Sequence, residues 1–269
     1  MAFPTPNCSA RDFLLSVFSS RSDNERRSDI PSVTLTFAQS LDGKISGKDG
    51  KQLLLSCPES MLMTHWMRSM HDAILVGIGT ALNDNPQLNT RLIPEGLRPT
   101  SLPRPVVLDA HLRLHVDCKL LNNFRQGTGL QPWIFCSSDS LGARERRSAL
   151  IAAGAVVFEV SCENGLLSIP QVLAELSKQG IKSLMVEGGA TVINGFLKYA
   201  HKPYCQGDPL GLDTIIITTT APILVGDDGT GYKVGFSEEQ RNDLPHLQHI
   251  RTEVMGKDSV AAVRISHCV

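Results

Sequence analysis

The stretch that decides the fold is VGIGTALNDNP, Val76 to Pro86. It continues the apolar run that starts at Ala73 and opens with Gly77 and Gly79. A G-x-G-x-x-G dinucleotide fingerprint starting at Gly77 needs a third glycine at position 82, where Leu82 stands. That glycine normally lets the next helix pack tightly on its strand. Asn83-Asp84-Asn85-Pro86 is turn chemistry and stops any helix early. The acidic residue expected about twenty positions on is also missing, since Asp109 lies too far along. The Rossmann reading fails. What remains still suits a nucleotide: glycines admit a ligand close to the backbone, and Thr80 is placed to cap a single helical turn. A plain strand-to-loop turn fits the stretch equally well.

Outward from this stretch, short β-branched runs alternate with helical patterns. Strands are expected at Val33–Ala38, Ala73–Val76, Pro105–Leu108, Trp133–Cys136, Ala155–Val160, Ser183–Val186 and Thr214–Thr218. Helices are expected at Pro58–Met70, Ala143–Ala153, Pro170–Gln179 and Thr191–Tyr199. Such alternation implies an α/β fold with a mostly parallel central sheet and helices on both faces. The tail departs from this rhythm: His246–Val254, a Gly256-Lys257-Asp258 turn and Val260–Ile265 read as an antiparallel hairpin. Residues 19–29, SSRSDNERRSD, are polar and charged, so residues 1–29 are expected to be a flexible extension before a single domain at 30–269. HKPYCQGDPLG, from His201 to Gly211, reads as a surface loop.

A net charge of -1 gives no electrostatic case for nucleic acid or anionic membrane as partner. No apolar run approaches a spanning length. The apolar patch Phe13–Phe18 is too short for a secretion signal. Seven scattered cysteines without a C-x-x-C pair read as reduced thiols in a cytoplasmic protein. His111 and His115 have metal-like spacing, but Leu112 stands where a zincin has glutamate, so no metal site is expected. Met61, Met63, Met67, Met70 and Trp66 read as packing on one helix.

Two further stretches carry chemistry. In VEGGATVINGFL, Val186 to Leu197, an apolar strand ends in Glu187, and Gly188-Gly189 lead into an amphipathic helix. The unpaired N–H groups and positive dipole end of that helix make a phosphate site. Glu187 sits badly beside a phosphate, so it is expected to face another part of the ligand; a plain surface glutamate before a flexible glycine pair is the alternative. In SLDGKIS, Ser40 to Ser46, Asp42-Gly43 makes a tight turn and places Lys44 to reach an anion. A hairpin turn with a solvated lysine accounts for the same residues.

These stretches occur in order: SLDGK, then H-x-x-R-x-x-x-D-A-I-L-V-G-x-G-T from His65 to Thr80, then VEGG, then PILVG from Pro222 to Gly226. Together, over about Ser32 to Ile265, the set resembles the riboflavin-pathway pyrimidine reductases, which act on 2,5-diamino-6-ribosylamino-4(3H)-pyrimidinone 5′-phosphate. It is similar also to the reductase half of the bacterial bifunctional deaminase–reductase. The resemblance implies a dihydrofolate-reductase-like fold, a homodimer and NADPH as hydride donor. It implies cofactor contacts at Thr80, Asp84, Gly188, Gly189, Ala190, Thr191 and Val192, with Val160 at the end of its strand. Ser137 and Ser138 are placed near the cofactor's 2′-phosphate. Substrate contacts are implied at Ser40, Lys44, Arg91 and Glu187. The deaminase signature is missing: no H-x-E occurs, and Cys57-Pro58 runs in the wrong order for its zinc ligands.

The expected reaction opens the ribosylamine to an imine and delivers a hydride to C1′. Glu187 or Asp42, or a water held by one of them, is the expected proton handler or imine stabiliser. The rival readings are a dihydrofolate-type pterin reductase and a nucleotide-binding regulator on the same fold.

Overall fold

The structure is a computed structural model that describes residues 6–19, 30–47, 53–138, 144–201, 212–226 and 246–266. The surface loop expected at His201–Gly211 falls outside these residues apart from His201, which ends a helix.

The first element is a helix, α1, Pro6–Ser19. For residues 6–19 this helix differs from the expected flexible extension; the rest of 1–29 lies outside the described residues. Phe13, Leu14 and Val17 recur at helical spacing and are fully buried. They join a core that includes Met63, Trp66 and Met67 of the next helix. Arg11 stacks over the Trp66 ring at 5.4 Å, and Arg251 donates to Ser16 at 3.0 Å.

Strand β1 (Ser32–Ser40), helix α2 (Pro58–Ser69), strand β2 (Ala73–Gly77) and helix α3 (Ile78–Asp84) follow. Then come β3 (Arg104–Leu108), α4 (Lys119–Arg125), β4 (Trp133–Ser137), α5 (Arg144–Ala152) and β5 (Val156–Val160). A small antiparallel ribbon, β6 (Cys162–Glu163) and β7 (Leu166–Leu167), precedes α6 (Ile169–Lys178), β8 (Ser183–Gly188) and α7 (Ala190–His201). The chain closes through β9 (Thr214–Thr220), β10 (His246–Met255) and β11 (Asp258–Ser266).

Nine strands form one sheet in the order β10-β11-β9-β1-β8-β2-β3-β4-β5. Strands β9 through β5 in that order run parallel, and β11 and β10 add an antiparallel edge. All of β2 is buried, as a strand covered on both faces must be. Its Ile74 and Val76 pack into the layer of α1, α2, α4 and α5, and its Ala73 and Leu75 into the layer of α6 and α7. The fold is therefore the expected α/β type with a closing antiparallel hairpin.

Two local details set up the site. The β10–β11 turn reaches the start of α2, where the N-cap residue Cys57 makes no side-chain cap of its own. Asp258 supplies the cap from the hairpin, its Oδ2 accepting from Cys57 N at 2.8 Å and from the Ser60 hydroxyl. Asp72 ties β2 to β8, its Oδ2 accepting from Lys182 N and Ser183 N, both at 2.9 Å.

Candidate functional site

The pairing of β1 with β8 ends at Leu35–Val186, whereas its pairing with β9 continues to Ser40–Thr220. By that register Gly188, the last residue of β8, is level with Phe37, so residues 38–40 of β1 run on past β8 by roughly 10 Å, at about 3.3 Å per residue. This step in the sheet makes a crevice at the carboxyl ends of β8 and β2, where open α/β sheets bind ligands.

The two glycine stretches meet at the base of the crevice. Strands β8 and β2 are neighbours, and Thr80 Oγ1 donates to Gly188 O at 3.3 Å. A Cβ on Gly77 would lie 2.7 Å from Val192 Cγ2, so Gly77 is small in order to seat α7. Gly79 differs, with nothing within 4 Å of its Cβ position. Helix α3 is capped by Gly77 without a side-chain bond, so Thr80 stands inside the helix rather than at its cap as expected. The helix ends at Asn85, whose φ of 41° is left-handed and whose Oδ1 accepts from Lys119 N at 2.9 Å. Asp84 is half-buried, and burial pushes its pKa up.

Gly188 and Gly189 have φ of +21° and +84°, the left-handed backbone that turns the chain into α7. Ile193 N donates to Gly189 O at 3.0 Å, so Gly189 is the N-cap. The N–H groups of Ala190, Thr191 and Val192 then have no acceptor within the helix. Val160 is buried at the end of β5, three strands from β2. Ser137 is buried at the end of β4, and Ser138 N donates to Val160 O at 3.1 Å.

Glu187 stands between the two glycine stretches. Leu75 pairs with Val186 and Val76 with Gly188, so the ladder steps over Glu187. Such a bulge re-aims the extra residue. Glu187 meets Arg68 of α2, whose Nε donates to Oε1 at 2.5 Å and Nη2 to Oε2 at 2.7 Å. Burial lowers the Arg68 pKa, and the charge and hydrogen bonds of Glu187 outweigh it, so the net shift is upward. The third nitrogen, Nη1, donates to Asn89 O at 3.1 Å.

Arg91 is exposed, and its Nη1 donates to Asn89 Oδ1 at 3.0 Å. Partial desolvation and the Arg68 charge lower its pKa, against the pull of Glu187. Its loop is braced from two sides. Leu92 N donates to His65 Nδ1 at 3.4 Å, and Arg98 donates to Arg91 O at 2.7 Å and Ile93 O at 2.6 Å. His65 is fully buried, and its Nε2 has no hydrogen-bond partner. Burial first, then the charges of Arg68, Arg91 and Arg98, lower its pKa to about 3.

The SLDGK turn is bonded to itself. Ser40 Oγ donates to Asp42 Oδ1 at 2.6 Å and accepts from Lys44 N at 2.9 Å, while Gly43 N donates to Ser40 O at 2.9 Å. Asp42 also accepts from Val225 N at 3.1 Å and Gly226 N at 2.8 Å, which clasps the turn to the PILVG segment. The Ser40 hydroxyl and then these N–H groups lower the Asp42 pKa to about 2, so it carries no proton to give at neutral pH. Ser40 is fully buried, and Lys44, expected to reach out to an anion, is 2% exposed. Of the four expected substrate contacts, the structure leaves Arg91 exposed and Glu187 partly so.

Residues 31–261 match the RibD C-terminal domain. The chain belongs to that family. The 2,5-diamino-6-ribosylamino-4(3H)-pyrimidinone 5′-phosphate reductase of Debaryomyces hansenii is 36% identical over 203 residues, 74% of this chain and 78% of that protein. The protein of the same name from Saccharomyces cerevisiae is 32% identical over 195 residues, 72% of this chain and 77% of its own length. The solved riboflavin biosynthesis reductase Rib7 of Saccharomyces cerevisiae superposes with a TM-score of 0.68 at 25% identity, covering 95% of this chain and 98% of its own.

In this RibD C-terminal domain, sequence reasoning assigned no role to Arg68, His65, Asn89 or Arg98. The available signal is the spacing of His65 and Arg68, which puts two ionisable residues on the face that also carries Met63, Trp66 and Met67. Among the described residues, no group of three or more His, Cys, Asp or Glu could hold a metal ion, and no helix is long and apolar enough to cross a membrane.

Proposed function

We propose that this chain reduces the ribosyl side chain of 2,5-diamino-6-ribosylamino-4(3H)-pyrimidinone 5′-phosphate to the ribitylamino form, with NADPH as donor, in riboflavin biosynthesis. The observation that carries this reading is the meeting of the Gly77–Asp84 and Gly188–Val192 stretches at neighbouring strand ends, with the bulged Glu187 between them. The names of the stand-alone relatives supply the substrate.

The residues fit a dinucleotide. The free N–H groups of Ala190, Thr191 and Val192 and the positive end of α7 suit a diphosphate. Thr80 and Asp84 flank it from α3. Val160 lies roughly 14 Å across the sheet from β2, at about 4.8 Å per strand, a span that an extended dinucleotide covers. Ser137 and Ser138 lie at the neighbouring strand end.

A bound nicotinamide supplies the hydride. Arg91 takes the substrate phosphate through its donor fork. The Glu187 carboxylate accepts from the N–H of the opened iminium and offsets its positive charge. A water it holds relays a proton from solvent to the ring oxygen released on opening; hydride at C1′ then leaves a neutral secondary amine, with no further proton needed at nitrogen. Asp42 and Ser40 hold the turn above the crevice, and Lys44 is buried with it. The chain works as a homodimer in this reading; Leu247 and Val254, exposed on the sheet's edge strand β10, offer apolar surface for it.

The test is loss of NADPH absorbance with the diaminopyrimidine ribosylamino phosphate and, separately, with dihydrofolate. Turnover of the first alone supports the proposal. Turnover of dihydrofolate makes the chain a pterin reductase, and NADPH binding without turnover of either makes it a regulator.

A further inference from the structure

One guanidinium touches both halves of the substrate site. Arg68 lies 119 residues before Glu187 in sequence, yet two of its nitrogens grip the two carboxylate oxygens. Its third nitrogen holds Asn89 O, and the Asn89 side chain in turn accepts from Arg91. We propose that Arg68 is a positioning residue that fixes the plane of the Glu187 carboxylate and the Asn89–Arg91 loop relative to one another. This rests on the roles given to Glu187 and Arg91 above.

Burial and geometry support it. The side chains of Arg68 and Glu187 are 10% and 15% exposed, so the pair is mostly shielded from water, and Arg68 reaches the site through Glu187 and Asn89. The side-on fork occupies one lone pair on each carboxylate oxygen and leaves the outward pairs for a ligand. The plane of the fork thus sets the direction in which Glu187 can accept. A lysine offers a point charge and cannot set that plane. Fold stability alone is a poor reason for the pair, because a buried ion pair is often no more stabilising than apolar residues of the same volume. His65, one turn earlier on α2, holds the next N–H of the same loop at Leu92, so a single helical face orders the site.

Arg68→Lys keeps the charge and loses the fork. With the pyrimidine substrate, kcat is expected to fall and KM to rise, the combined loss in kcat/KM being roughly tenfold to a hundredfold. NADPH affinity, read by fluorescence quenching, is expected to change less than about twofold, because Arg68 does not touch that side. In the Glu187→Gln background, Arg68→Lys is expected to cost less than it does in the otherwise native chain, since one of its two targets is already altered while the bond to Asn89 O remains. Wild-type kinetics in Arg68→Lys, equal losses for substrate and NADPH, or losses that multiply with Glu187→Gln each overturn the proposal.

A second measurement needs neither turnover nor a folded Arg68 variant. In the otherwise native chain, the Arg68 Nε–H signal in nitrogen-15 NMR is expected to be slowly exchanging and to shift in Glu187→Gln together with the Asn89 and Arg91 backbone amides. A shift confined to Arg68 overturns the brace. Wild-type chain without turnover of the pyrimidine overturns the proposed function instead, and the NMR result then judges the brace alone.

Discussion

The Cβ that Gly189 lacks would fall 2.7 Å from Thr80 Oγ1, so each glycine stretch limits the side chains of the other. Gly189 also has a φ of +84°, where an L side chain costs about 1–2 kcal/mol. Gly189→Ala is therefore expected to lower Tm by roughly 2–8 °C, from about 2–4 °C per kcal/mol at this chain size. It is also expected to raise KM for NADPH, because Thr80 and the start of α7 must separate. Gly79→Ala is the contrast. Its Cβ meets nothing within 4 Å, and alanine favours a helix by about 1 kcal/mol. Thermal melts should show Tm unchanged or raised, and a rise in KM for NADPH at that position would report the ligand itself.

Much of this arrangement is legible in the sequence. Short β-branched runs bounded by turn residues give β2, β3, β4 and β8, because a strand buried on both faces needs apolar residues throughout. The Gly188-Gly189 pair marks where the backbone must turn, and Gly77 marks where α7 must come close. The sheet order is not written locally, so nothing in VGIGT alone says that β8 lies beside it. α1 is hidden by the polar run that follows it; Phe13, Leu14 and Val17 have helical spacing, but only α2 and the hairpin give them a surface to cover. Lys44 reads as solvated after a tight turn, and its burial comes from outside the turn, which Asp42 clasps to a segment over 180 residues later. Arg68 is legible as a residue and illegible as a role, since its partner is 119 residues away.

His65 makes the fold acid-sensitive. Its pKa falls from 6.5 to about 3 on folding, so the fold favours the neutral ring. The stabilisation is complete above pH 6.5 and is lost as pH falls toward 3, where the unfolded chain binds a proton that the folded one refuses. His65→Asn keeps an acceptor near the Nδ1 position for Leu92 N–H and removes the titration. Melting temperature plotted against pH is expected to fall less steeply below pH 6.5 in the variant than in the parent chain. Parallel slopes would remove His65 from the acid response.

Asp42 separates a clasp from a proton handler. Its carboxylate binds Val225 N–H and Gly226 N–H as well as the Ser40 hydroxyl, and its pKa is lowered to about 2. A lowered carboxylate stabilises the fold above its ordinary pKa of 3.8 and loses that contribution as pH falls through 2, so at neutral pH the clasp is closed. Asp42→Asn keeps the shape and weakens the charge-assisted bonds to PILVG. The turn that overhangs the crevice should then loosen, raising substrate KM several-fold with a smaller change in kcat and little change in KM for NADPH. Steady-state kinetics across pH decide the matter. A collapse of kcat at constant KM, with one limb of the pH profile lost, would make Asp42 the group that moves the proton and leave Glu187 to orient the imine.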